Sequence, residues 1–152
     1  MTTQTSYLER QPRAFAGMVA SMRAYDSITR SCETAAGIGF GLAVGRGSGD
    51  HGAVIGGALG LFRGVTIRDI TLMGSQSDKY VQYQNMGILT EGEIWVQVTG
   101  TPGPGDPVHY NAATGVFAAS GGSGPVVGAR WMVTSENGIG KVYLSGNGQV
   151  AA

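Results

Sequence analysis

Residues 37–64 read GIGFGLAVGRGSGDHGAVIGGALGLFRG, and 11 of these 28 are glycine. Each glycine costs a helix about 1 kcal/mol relative to alanine, so no helix survives that density. Glycine suits positions where φ is positive or two backbones approach closely, which predicts short strands, bulges and turns here. Within the segment lies AVIGGALGLF (53–62), the longest apolar run of the chain. It is far shorter than the ~18 apolar residues that a bilayer-spanning helix needs.

Outward from this segment the pattern changes to a period of two. In GVTIRDITL (64–72), Val65, Ile67 and Asp69 share one face, and Thr66, Arg68 and Ile70 share the other. In EIWVQVT (93–99), Ile94, Val96 and Val98 oppose Trp95, Gln97 and Thr99. PVHYN (107–111), GVFAAS (115–120), ARWMVTS (129–135) and KVYLSG (141–146) follow the same rule. These runs are β-branched and aromatic, with Gly, Pro, Asn or Ser clusters between them, which is the signature of an all-β barrel or sandwich. Only AFAGMVASMRAYDSITRSCETAA (14–36) has helical character. Its DSITRS part reads equally as extended, so an arm with up to one helical turn is expected.

The Gly/Pro stretch TGTPGPGDPVHYNAATG (99–115) is read as architecture. Proline fixes φ and donates no hydrogen bond, so it belongs in a turn and not in the middle of a sheet. GTPGPGD is therefore expected to join EIWVQVT to PVHYN as adjacent strands, with NAATG as the next turn. A chain of 152 residues is expected to form one domain. The expected division is an N-terminal arm over residues 1–26 and a β-barrel over residues 27–152.

Ten Lys and Arg balance ten Asp and Glu, and charged residues are only 13% of the chain. That balance argues against a nucleic-acid partner, which calls for a basic patch or stripe. The N-terminal MTTQTSYLERQPRAF has no basic start followed by an apolar stretch, so no signal peptide and no membrane partner are expected. A product made or assembled in a cytosol fits this reading. Cys32 is the only cysteine, which excludes an internal disulfide and a Cys/His zinc cluster and suggests an inert buried thiol.

Catalytic arrangements in the sequence are weak. His51 adjoins Asp50 in GSGDHG, but neighbouring side chains on extended backbone point apart. His109 follows Asp106 by three residues, and no G-x-S-x-G elbow supplies a serine. GIGFGLAVG does not fit G-x-G-x-x-G, since its third glycine falls one residue late and no helix can follow. Glu91 and Glu93 lie two apart and could share a face for acid–base chemistry, yet they read as solvated charges at a strand start. Tyr80, Tyr83 and Trp95 suit stacking on bases or sugars, but without accompanying cations they read as core or interface. No catalytic residue, metal or cofactor is expected, and the chain is read as a non-enzyme.

Taken in order, several stretches resemble the structural cement (capsid decoration) proteins of tailed bacteriophages. They are SITRSCETAAGIGFGLAV (27–44), FRGVTIRDIT (62–71), YVQYQNMGILTEGEIWVQV (80–98), GDPVHYNAATGVF (105–117) and GARWMVTSENGIGKVYL (128–144). The resemblance runs from about residue 10 to residue 146 and rests on the ordered set, because each stretch is only a strand with its turn. It implies a jelly-roll-like β-barrel without catalytic residues on the outer surface of a capsid, bridging major capsid protein subunits and assembled in the host cytoplasm. It also implies a homo-oligomer, dimer or trimer.

The expected contact residues are Tyr7, Leu8, Arg10, Arg13 and Phe15, which set apolar anchors beside cations in the arm. Pro12 biases Gln11 toward extended backbone, so the arm suits addition to a neighbour's sheet edge. Two other classes compete. A tail or baseplate β-module binding a host receptor or carbohydrate would need an exposed aromatic cluster, and a small β-barrel enzyme would need a carboxylate or histidine constellation.

Overall fold

A computed structural model describes residue 9, residues 12–72 and residues 77–145. Eleven strands form among them: β1 (Asp26–Cys32), β2 (Ile38–Gly39), β3 (Ala43–Arg46), β4 (Gly52–Ile55), β5 (Phe62–Thr66), β6 (Lys79–Tyr80), β7 (Asn85–Gln97), β8 (His109–Tyr110), β9 (Phe117–Ala118), β10 (Ala129–Trp131) and β11 (Ile139–Ser145). The one helical element among the described residues is a single 3-10 turn, Leu59–Leu61. The protein is all-β, as the glycine density and the alternating runs require.

Five strands close a barrel. β1 pairs with β4 in parallel, and the antiparallel pairs β4–β3, β3–β5, β5–β7 and β7–β1 complete the ring. Closure removes the free edges that an open sheet would expose. A jelly roll uses eight strands in two packed sheets; the pairings here close through five strands instead. Beyond the ring, β11 pairs with residues 91–97 of β7, and β10 pairs with β11. β8 and β9 form a separate ribbon, and β2 pairs with β6.

β7 works for both halves of the molecule, and a bulge lets it do so. Asp26 pairs with Glu91 but its neighbour Ser27 pairs with Leu89, so Thr90 has no partner on β1. One extra residue reverses which face each later side chain takes. Before the bulge Leu89 faces one apolar cluster, with Ala43, Val65, Tyr110, Phe117 and Trp131, while Met86 and Ile88 face the other, with Cys32, Ile38, Phe40 and Val44. After it, the even-numbered Ile94 and Val96 join the cluster of odd-numbered Leu89. Two cores therefore sit on either side of a single strand.

The buried hydroxyls of Tyr110 and Ser135 find no partner among the described residues, whereas that of Thr66 does. Thr66 is fully buried, and its hydroxyl donates to the Gly39 carbonyl (2.7 Å) and accepts from the Leu42 amide (3.1 Å). An unpaired hydroxyl at that position would cost about 1–3 kcal/mol.

The structure corrects three expectations. The 14–36 segment has no helical turn among its described residues; it enters as extended chain and turns and becomes β1 at Asp26. The strand expected over 64–72 ends at Thr66, because the Asp69 carboxylate accepts from the Thr71 amide (2.8 Å) and hydroxyl (2.6 Å) and closes a turn. Residues 93–99 and 107–111 are not adjacent strands. The Gly/Pro stretch leads out of the large sheet to the β8–β9 ribbon, and β7 takes β11 as its partner. NAATG is the turn expected: the Asn111 side-chain oxygen accepts from the Ala113 amide (2.8 Å).

Candidate contact surface

The candidate catalytic groups are occupied structurally. His109 Nδ1 lies 3.0 Å from the Ser123 carbonyl and 3.1 Å from that of Gly121. Both partners are acceptors, so Nδ1 carries the proton and the ring ties the ribbon to the following loop. His51 is exposed, and its carbonyl accepts from the Ser31 amide (2.8 Å). Cys32 is fully buried, and that burial pushes its thiol above the usual range, which keeps it protonated and inert. Glu91 and Glu93 do not act as a pair; Glu93 is buried and held by cations described below. Among the described residues no three His, Cys, Asp or Glu side chains are grouped to hold a metal.

The aromatic trio does not assemble. Tyr80 is buried edge-on against Phe40 at 5.4 Å, Trp95 is half-buried, and Tyr83 stands exposed. Tyr83 also takes φ 68°, a left-handed value uncommon outside glycine, at the tip of the turn before β7.

The glycine-rich loop between β3 and β4 serves the chain's own Glu33. One carboxylate oxygen of Glu33 accepts from the Ser48 amide (2.7 Å) and hydroxyl (3.1 Å), and the other from the Gly49 amide (3.0 Å). These amide donors, with the hydroxyl adding to them, hold the carboxyl below its usual pKa. Glycine at position 52 leaves room for this seating, because a Cβ there would overlap the Glu33 carboxylate. Composition alone could not connect Glu33 with a loop 15 residues downstream.

The N-terminal segment carries the most exposed apolar surface. Phe15, Met18, Met22 and Tyr25 are all exposed, Met22 completely. The segment is nevertheless anchored to the barrel. The Gly17 amide donates to the Trp95 carbonyl (2.7 Å), the Trp95 amide to the Met18 carbonyl (2.9 Å), and the Ala20 amide to the Glu93 carbonyl (2.8 Å). Val19 bridges Ile94. Gly17 takes φ +84°, and a Cβ there would lie 2.7 Å from the Arg68 amide nitrogen. That close seating lets the Arg68 amide donate to the Gly17 carbonyl (2.8 Å).

Of the expected contact residues, Tyr7, Leu8 and Arg10 lie outside the described residues. Arg13 pairs with Glu136 at 3.3 Å, both about half exposed. Phe15 is 53% exposed and stacks under the Arg68 guanidinium at 5.0 Å. A cavity of about 90 Å³ beside Arg13 is lined by Pro12, Ala14, Trp95 and Ile139.

Next to this segment, the β7–β11–β10 face brings together residues that the sequence keeps far apart. Register sets Glu93 opposite Tyr143, Trp95 opposite Lys141, and Tyr143 opposite Arg130. Arg23 and Arg130 each lie over the Tyr143 ring, at 5.0 and 4.9 Å, and Lys141 lies 5.9 Å from the Trp95 ring. Glu93, only 6% exposed, accepts from Arg23 at 3.0 Å and faces Lys141 at 3.9 Å. Sequence reading missed Met18, Met22, Tyr25, Arg23, Arg130 and Lys141 as surface-forming residues. The first three carried a signal, being apolar residues at the i, i+4, i+7 spacing of a helix face in a segment that forms no helix.

Comparison with known proteins places this surface in context. Residues 3–145 match the family described as structural cement protein (E217 gp24/Pam3 gp6). Among solved structures, a chain in "The capsid of Myoviridae Phage XM1" is similar in fold. It shows 17% identity and a TM-score of 0.75, with 95% of this chain and 98% of that chain covered. A search of curated proteins gave no significant match. A family match over nearly the whole sequence leads to one conclusion: this chain belongs to the structural cement protein family.

Proposed function

We propose that the protein is a non-enzymatic decoration protein that cements a tailed-phage capsid by bridging major capsid protein subunits on the outer surface. The observation that carries this reading is the family match over residues 3–145. The exposed row Phe15, Met18, Met22 and Tyr25 supports it, because a rimmed apolar strip of this kind marks a protein-binding surface. Residues 1–13 would lead from that strip as a tether to the neighbouring subunit. Such a site gains strength when several copies act together, since each later contact forms at high effective concentration. A homo-oligomer, dimer or trimer, would supply that multivalency.

The test uses particles assembled without this protein. They should form normally but release their genome at lower temperature, or on rapid osmotic dilution, and purified protein added back should restore the difference. Equal survival of bare and decorated particles in both assays would refute the cementing role.

A further inference from the structure

All ten Asp and Glu side chains lie among the described residues, and none comes within 4.0 Å of a side-chain nitrogen of Arg130 or Arg68. Arg130 lies over the Tyr143 ring, and Arg68 over the rings of Phe15 and Phe40. On the other side of Tyr143, Arg23 shares the single buried carboxylate of Glu93 with Lys141. Four cations on or beside the N-terminal segment therefore meet one carboxylate. Arg13 is compensated separately by Glu136. This local excess stands out in a chain whose net charge is zero.

The guanidiniums are also posed for use. An arginine held over an aromatic ring loses less side-chain freedom when it binds, and its N–H fork stays free for a carboxylate. The exposed apolar groups Phe15, Met18, Met22 and Tyr25 run along the same segment, so the surface is an apolar strip with a cationic rim. From this arrangement we infer that the face seats an acidic protein surface, with Asp or Glu side chains of the partner meeting Arg130 and Arg68 while apolar groups cover Phe15 and Met22. Polynucleotide phosphates fit less well, since the apolar strip would remain wet. The inference rests on the cementing reading and names the chemistry of the capsid surface involved.

The experiment measures occupancy of undecorated capsids by the full-length protein across a range of salt concentrations. Rim charges act mainly through association rate and salt dependence. Wild-type affinity should fall steeply with salt, Arg130→Glu should bind about tenfold or more weakly at low salt, and Arg130→Lys should fall between the two. Arg46→Glu, which changes an exposed cation at the end of β3, serves as the control for net charge and should bind like wild type. Melting of each variant at the wild-type temperature would exclude misfolding.

Salt-independent wild-type binding, or equal losses from Arg46→Glu and Arg130→Glu, overturns the acidic partner and leaves the cementing role standing. Retention of the protein on free duplex DNA at the same salt as on capsids also overturns it. Wild-type protein that fails to bind capsids at all refutes the cementing reading, and this inference with it.

Discussion

Glu33 shows how a single residue gives a glycine-rich loop its shape. Its carboxylate takes two amide protons and one hydroxyl proton from Ser48 and Gly49, so the ionised form is the one the fold prefers. A carboxyl whose folded pKa is depressed adds stability above its unfolded pKa and loses it as pH falls through the folded value. The unfolded value is about 4.3, so the contribution is complete at neutral pH and disappears only in more acidic solution. Glu33→Gln should therefore lower the melting temperature at pH 7 and match wild type once the pH is below the folded pKa. Thermal melts from neutral to strongly acidic pH check this, and amide exchange at Ser48 and Gly49 should accelerate in the variant. Parallel melting curves at every pH would show that the loop does not depend on the carboxylate.

At the scale of elements, β7 carries the most structural responsibility. Its bulge at Thr90 sets Leu89 and Ile94 facing one core despite their odd separation. Deleting Thr90 would restore a strict period of two and turn either the 85–89 or the 94–96 side chains to the wrong face. The deletion variant should lose cooperative unfolding, whereas Thr90→Ala keeps the bulge and should cost no more than about 1 kcal/mol, the worth of its exposed hydroxyl bond to Asp26. Near-ultraviolet circular dichroism with thermal melts separates the two outcomes.

The same strand shows what the sequence made legible. The run EIWVQVT announced a strand through its alternation, and the Asn111 turn through its residue types. The first half, NMGILTEG, did not, because burial on both faces and the bulge erase the alternation that marks a half-exposed strand. The rim cations were illegible for another reason: the pairing of β7, β11 and β10, with the N-terminal segment docked along β7, brings Arg23, Arg130 and Lys141 to one aromatic pair.

For the whole molecule, the question is where folding ends and attachment begins along the N-terminal segment. Ala14 is buried, and Gly17, Met18 and Ala20 satisfy main-chain groups of Glu93 and Trp95 along β7. Removing residues up to 20 would expose those groups and uncover Ile94, so such a truncation should destabilise the barrel. Phe15 lies within the seated stretch but turns its ring outward, 53% exposed, and folding gains little from it beyond the stack on Arg68. Phe15→Ala should then lower stability by less than about 1 kcal/mol, the worth of an exposed cation–π contact. If the partner buries the ring, the same change should weaken attachment by about 1–3 kcal/mol, roughly 5- to 150-fold in affinity. Removing residues 1–13 should leave a folded, soluble protein that occupies capsids poorly. Melting curves together with bound copies measured against free concentration on undecorated particles give both quantities for each variant. A Phe15→Ala protein that melts and binds like wild type would move the attachment surface away from this segment. One that melts early would make Phe15 part of the fold. Only a loss confined to binding agrees with a ring held on the barrel's surface for a partner to cover.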